Sequence, residues 1–172
     1  MKSNSRRKFV KQSATAMALA GAYPVLGNIQ VSNKALKLAE KHKDELLQLL
    51  QGLIRVQSIS GESARDAQLV VKSYLKDLPY RIEESTDRPS LYTEHAEYMT
   101  PNPPGDGPFT NVVGWPEKDA DKRFAMFSHI DTHSIEEGWS TDPFEPTLVG
   151  SKLYGLGTSD DKGGVAAMLV AA

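Results

Sequence analysis

Phe127-Ser128-His129-Ile130-Asp131-Thr132-His133 closes an apolar run, and the two-residue period of a strand sets His129, Asp131 and His133 on one face. Imidazole and carboxylate are good donors to a divalent metal such as zinc. A carboxylate can also sit behind a ligating histidine, accepting the proton of its other ring nitrogen and fixing the tautomer. A polar strand end produces the same His-x-Asp pattern, so the motif alone leaves both readings open.

A second chemical motif follows about 25 residues later. Tyr154-Gly155-Leu156-Gly157-Thr158-Ser159-Asp160-Asp161-Lys162-Gly163-Gly164 reads as a Gly-rich turn from strand to helix that carries two acids. Asp160 can present a carboxylate that bridges two cations. Gly-rich turns at helix starts also cradle phosphate, but the Walker spacing is absent and two aspartates repel an anion. Simple helix capping by Asp160 or Asp161 stays open as well. Lys162 is expected to pair with Asp161 or to solvate the helix start. Glu136-Glu137 reads as part of a polar loop, and His95 as a surface residue.

These motifs need elements to hold them. Asn33–Val56 carries leucines at helical spacing, with Ser32 or Asn33 available as cap. A second helix is expected from about Ser63 to Leu78, with Ser63-x-x-Asp66 as capping box and Pro79 ending it. Strands are expected at Tyr80–Ser85, Asn111–Trp115 and Phe124–Ile130, and a hairpin at Thr147–Val149 and Lys152–Gly155. Between Thr86 and Thr110 the periodicity disappears into a Pro/Gly-rich loop. From Gly163 the chain is small and apolar, as at the opening of a buried helix. Val165–Ala172 carries no stop signal, which reads as an interrupted chain.

In order along the chain, His129-x-Asp131, Trp139, Asp142-Pro143-Phe144, Lys152-Leu153-Tyr154-Gly155 and Asp160-x-Lys162-Gly163 resemble the zinc aminopeptidase-fold hydrolases. That family includes acetylornithine deacetylase, succinyl-diaminopimelate desuccinylase, aminoacylase and glutamate carboxypeptidase. Leu53–Gly61 is similar to its opening helix and loop. The resemblance implies an α/β fold, a zinc aminopeptidase-like sheet flanked by helices, incomplete because the chain stops early. It implies a site of two zinc ions (cobalt being possible), with His129 a ligand of one and Asp160 bridging both. Asp131 is then the carboxylate that orients His129, and a cis peptide is expected at Asp160–Asp161. His133 matches no ligand position of the family and reads as a near-site or packing residue. Leu156 stands where many relatives carry Arg, which leaves substrate preference open.

The implied activity is hydrolysis of amide bonds in peptides or N-acyl amino acids by a hydroxide bridging the zincs, as in a metallopeptidase, carboxypeptidase or deacetylase. The general base of that family is a Glu-Glu pair further along, so residues 1–172 alone are expected to be inactive. A homodimer is expected only of the full-length protein. The alternatives are a catalytically dead exported binding protein on the same fold, a di-metal phosphoesterase, and an exported adhesion or scaffold domain.

Composition narrows the field further. The 172 residues are 40% hydrophobic and 24% charged, which suits a globular domain. Residues 1–27 hold five basic groups and no acid, leaving 15 basic against 22 acidic groups in the remaining 145, a net of −7. Such a body is a poor nucleic-acid binder. The absence of cysteine removes disulfides, thiolate metal sites and cysteine nucleophiles. Ser5-Arg6-Arg7-Lys8-Phe9 followed by an apolar stretch and Ala-x-Ala options reads as a twin-arginine export signal over 1–27. The chain is then periplasmic or otherwise exported, with 28–172 as the N-terminal part of the catalytic domain. The apolar run is too short for a stable membrane span.

Overall fold

The computed structural model describes residues 32–59, 61–96, 107–117 and 125–172. The export-signal segment therefore lies outside the described residues. The chain divides into two units, 1–41 and 42–172.

In the first unit α1 spans Asn33–Lys41. Ser32 caps it, its Oγ accepting from the Ala35 amide at 3.1 Å. The helix expected to run unbroken to Val56 is instead divided at His42, whose φ of −100° and ψ of 10° are not helical. No α1 residue is buried, so no packed face carries the helix through that point.

In the second unit α2 spans Lys43–Arg55, and α3 spans Gly61–Lys76. α3 starts two residues ahead of the expected capping box, which places Ser63 inside its first turn. Leu49, Leu50, Leu53 and Ile54 of α2 and Ala64, Ala67, Val71 and Leu75 of α3 are buried at i, i+3/i+4 spacing. Strands β1 (Tyr80–Asp87) and β2 (Phe109–Pro116) pair antiparallel, with Ile82 opposite Gly114. Both run further into the expected loop than its Pro/Gly content suggests, because each added residue gains a ladder partner. α3 lies over this pair, with Leu75 packed against Gly114. A hairpin follows, β3 (Thr147–Val149) with β4 (Lys152–Tyr154). A turn over Thr158–Lys162 then leads into α4 (Gly163–Ala171), which buries Val165, Ala166 and Leu169.

The fold is mixed α/β, its core formed by α2, α3, α4 and Ile130. Among the described residues the strands form two separate two-stranded antiparallel sheets. Residues 125–130, expected as a strand, have no ladder partner there. Phe127 is accordingly 94% exposed, while Ile130 is buried in the core.

Candidate metal centre

His129 and Asp160 approach from different elements. The first sits at the end of the 125–130 segment, the second in the turn before α4. From His129 to His133 the chain alternates exposed, buried, exposed, buried, exposed, so His129, Asp131 and His133 share one side. This is the strand periodicity expected from the sequence, achieved without a strand partner among the described residues.

The α2 end supplies the support instead. Ser58, fully buried in the loop after α2, donates its Oγ hydrogen to the Ile130 carbonyl at 2.8 Å. Its own carbonyl accepts from the Thr132 amide at 2.9 Å. These two bonds on alternate residues hold the backbone extended on both sides of Asp131. Nothing in a polar Gln-Ser-Ile-Ser-Gly loop singles out Ser58 before the fold is known.

The Asp160 turn is shaped by glycine and by an internal lysine. Gly157 has φ +79°, and a Cβ there would stand 2.5 Å from Cγ2 of Thr132. The amides of Asp160 and Lys162 both donate to the Gly157 carbonyl, at 3.3 and 2.9 Å. The Asp160–Asp161 peptide is cis, as the resemblance implies. Lys162 corrects the surface role expected of it. It has no exposed area, and its Nζ donates to the carbonyls of Leu53 and Val56, each at 2.8 Å. Burial pulls its pKa down to about 8. One signal was present in the sequence: a lysine directly before a helix faces the positive end of the dipole, so its position needs another cause.

At the centre, Nε2 of His129 lies 2.9 Å from Oδ1 of Asp160. Nδ1 lies 3.2 Å from the Asp131 carbonyl and 3.4 Å from the Asp131 carboxylate. The main chain of Asp131, as well as its carboxylate, thus faces the second ring nitrogen. Burial lowers the His129 pKa, but the Asp160 hydrogen bond and the Asp131 charge outweigh it and leave the value raised. A cavity of about 100 Å³ opens here, lined by His129, Asp131, Thr132, His133 and Asp160. His133 is thereby placed at the site, consistent with a near-site residue. Thr132 Oγ1 is buried with no hydrogen-bond partner among the described residues. His95 is exposed, and Glu136-Glu137 lies in an exposed loop, both as expected.

The donor chemistry fits a divalent cation: an imidazole nitrogen and a carboxylate oxygen converge on an open cavity. Among the described residues no cluster of three or more His, Asp or Glu suited to a metal is found.

Residues 125–172 match Peptidase family M20/M25/M40. That segment carries both the His129-x-Asp131 and the Asp160-x-Lys162-Gly163 motifs. N-formyl-4-amino-5-aminomethyl-2-methylpyrimidine deformylase of Bacillus subtilis is 32% identical over 142 residues, covering 78% of this chain and 29% of that enzyme. Succinyl-diaminopimelate desuccinylase of Colwellia psychrerythraea is 30% identical over 139 residues, covering 78% of this chain and 31% of that enzyme. The chain thus spans under a third of the length of these relatives. Human carnosine dipeptidase 1 shares the fold, with a TM-score of 0.52 at 24% identity over 79% of this chain and 29% of that one.

Proposed function

We propose that the complete protein is a metal-dependent hydrolase of amide (C–N) bonds in peptides or N-acyl amino acids. His129 and Asp160 serve as metal donors, and Asp131 orients His129. The observation that carries this reading is the 2.9 Å approach of His129 Nε2 to Asp160 Oδ1, with Asp131 facing the other ring nitrogen. The names of the matched relatives, a deformylase and a desuccinylase, support removal of an acyl group from nitrogen.

Zinc or cobalt held by His129 and Asp160 would supply Lewis-acid chemistry, polarising the amide carbonyl and making the attacking water more acidic. The chain's own residues prepare for this. With its proton on Nδ1, facing Asp131, His129 would keep the Nε2 lone pair available to a cation. Asp160 offers its carboxylate from a turn whose backbone is already set by the Gly157 carbonyl. The resemblance implies a Glu-Glu pair as general base, and Glu136-Glu137 in its exposed loop is not that pair, so residues 1–172 alone are proposed to be inactive.

Full-length protein should lose amide hydrolysis in chelator and regain it with zinc. Activity that persists undiminished in chelator would overturn the reading. Metal uptake without turnover of any amide would instead favour a catalytically dead binding protein. Export through residues 1–27 to the periplasm is proposed on their twin-arginine layout, and a reporter fused to that segment should leave the cytoplasm. Dimerisation of the complete protein is proposed on the resemblance, and sedimentation would read it.

A further inference from the structure

Asp160 is 74% exposed at its side chain, and among the described residues its side-chain partner is His129. Its neighbours must therefore decide where the carboxylate stands. The next residue, Asp161, accepts a hydrogen bond from Oγ of Ser128, the residue just before His129. The Asp161 carboxylate rests against Gly164, where any Cβ would overlap it. One residue further on, buried Lys162 reaches the Leu53 and Val56 carbonyls at 2.8 Å each. Those carbonyls lie at the C-terminal end of α2, where the last turn leaves acceptors free and the dipole favours a cation. Two residues past Val56, Ser58 holds Ile130 and Thr132. Both donor-bearing segments are thus tied to the same helix end, and Ser128 ties them to each other.

We propose that Ser128 and Lys162 are positioning residues, a two-point clamp that sets the Asp160 carboxylate opposite Nε2 of His129. Ser128 acts across the gap, linking the His129 segment to the residue beside Asp160. Lys162 acts from below, fixing the turn to α2. The inference rests on the reading of His129 and Asp160 as metal donors. Neither residue touches the cation or the substrate, so the effect is on preorganisation, and partners that orient ligands typically change metal affinity by about 10–100-fold.

The test uses full-length protein with Ser128→Ala, Ser128→Thr and Lys162→Met. In metal-free protein, the amides of Asp160 and Lys162, both bonded to the Gly157 carbonyl, should exchange faster with deuterium in Ser128→Ala and Lys162→Met. Zinc affinity, read by competition with a chelating dye, should fall roughly tenfold or more in both. The visible spectrum of the cobalt-loaded protein should change with it. Ser128→Thr keeps the hydroxyl and should restore affinity, spectrum and exchange. Unchanged exchange and zinc affinity within about twofold of wild type in Ser128→Ala would overturn the clamp, as would failure of Thr to restore them. If Lys162→Met does not fold, the Ser128 pair decides alone. Wild-type protein that takes up no zinc would sink the metal reading itself, and the exchange measurement would then decide the clamp by the same criterion.

Discussion

Gly157→Ala should be among the most disruptive single-methyl additions in this chain, and its cost can be worked out from two independent contributions. Gly157 has φ +79°, a left-handed conformation that costs an L-residue about 1–2 kcal/mol. The added Cβ would stand 2.5 Å from Thr132 Cγ2 and 3.2 Å from Lys162 Cδ. Thr132 is 8% exposed and Lys162 not at all, so neither side chain can swing into solvent. Overpacking of this kind costs about 1–3 kcal/mol, for a combined destabilisation of about 2–5 kcal/mol. Thr132→Ser removes the offending methyl, so the double variant should recover most of the packing contribution and keep only the backbone cost. Gly52→Ala is the control: it lies within α2 with nothing within 4 Å of its added Cβ, and it should stabilise by about 0.5–1 kcal/mol. Urea unfolding of full-length metal-free protein measures all four. A loss below about 1 kcal/mol in Gly157→Ala, or no recovery in the double variant, would refute the claim that close approach of the two motifs demands glycine here. Because Thr132 lies between Asp131 and His133, the same substitution should also weaken zinc binding.

Lys162 introduces an alkaline dependence. Its pKa is about 8 folded against 10.5 unfolded, so between those values the unfolded chain binds more protons and stability rises with pH. Relative to Lys162→Met the gain should reach about 3 kcal/mol by pH 10.5, and parallel pH profiles would reject it. His129 works in the opposite sense. Its raised pKa means that, without metal, its pairing contributes stability fully below the usual value of 6.5, lost as pH rises through the higher folded value. The same proton competes with metal, so zinc affinity should fall as pH drops through that value, and His129→Ala should abolish the dependence together with most of the binding. Ser58→Ala leaves the buried Ile130 carbonyl without its donor and should cost about 1–3 kcal/mol in urea unfolding, a cost that Ser58→Thr should reduce.

The sequence by itself determined the local features. Leucine spacing marks α2, the Asp160–Lys162 stretch between glycines marks a turn into a helix, and small residues after Gly163 mark a buried one. His129, Asp131 and Asp160 could be picked out because metal chemistry needs those residue types and the family motifs fall in order around them. Those are properties of residue type and spacing, which a linear chain displays.

What required the tertiary structure was partnership across the chain. Asn33–Val56 has one helical pattern, yet it is divided at His42 because no face of Asn33–Lys41 is buried. Residues 125–130 read as a strand but lack a ladder among the described residues, and it is Ser58 that holds the backbone from Ile130 to Thr132 extended. Lys162 reads as a solvated lysine until the end of α2 presents the carbonyls of Leu53 and Val56, more than 100 residues away in sequence. A hydrogen bond or a close contact depends on distances that spacing along the chain does not encode. So the candidate donor residues were legible in advance, while the residues packed and hydrogen-bonded around them became visible only when α2, the 125–132 segment and the Asp160 turn came together.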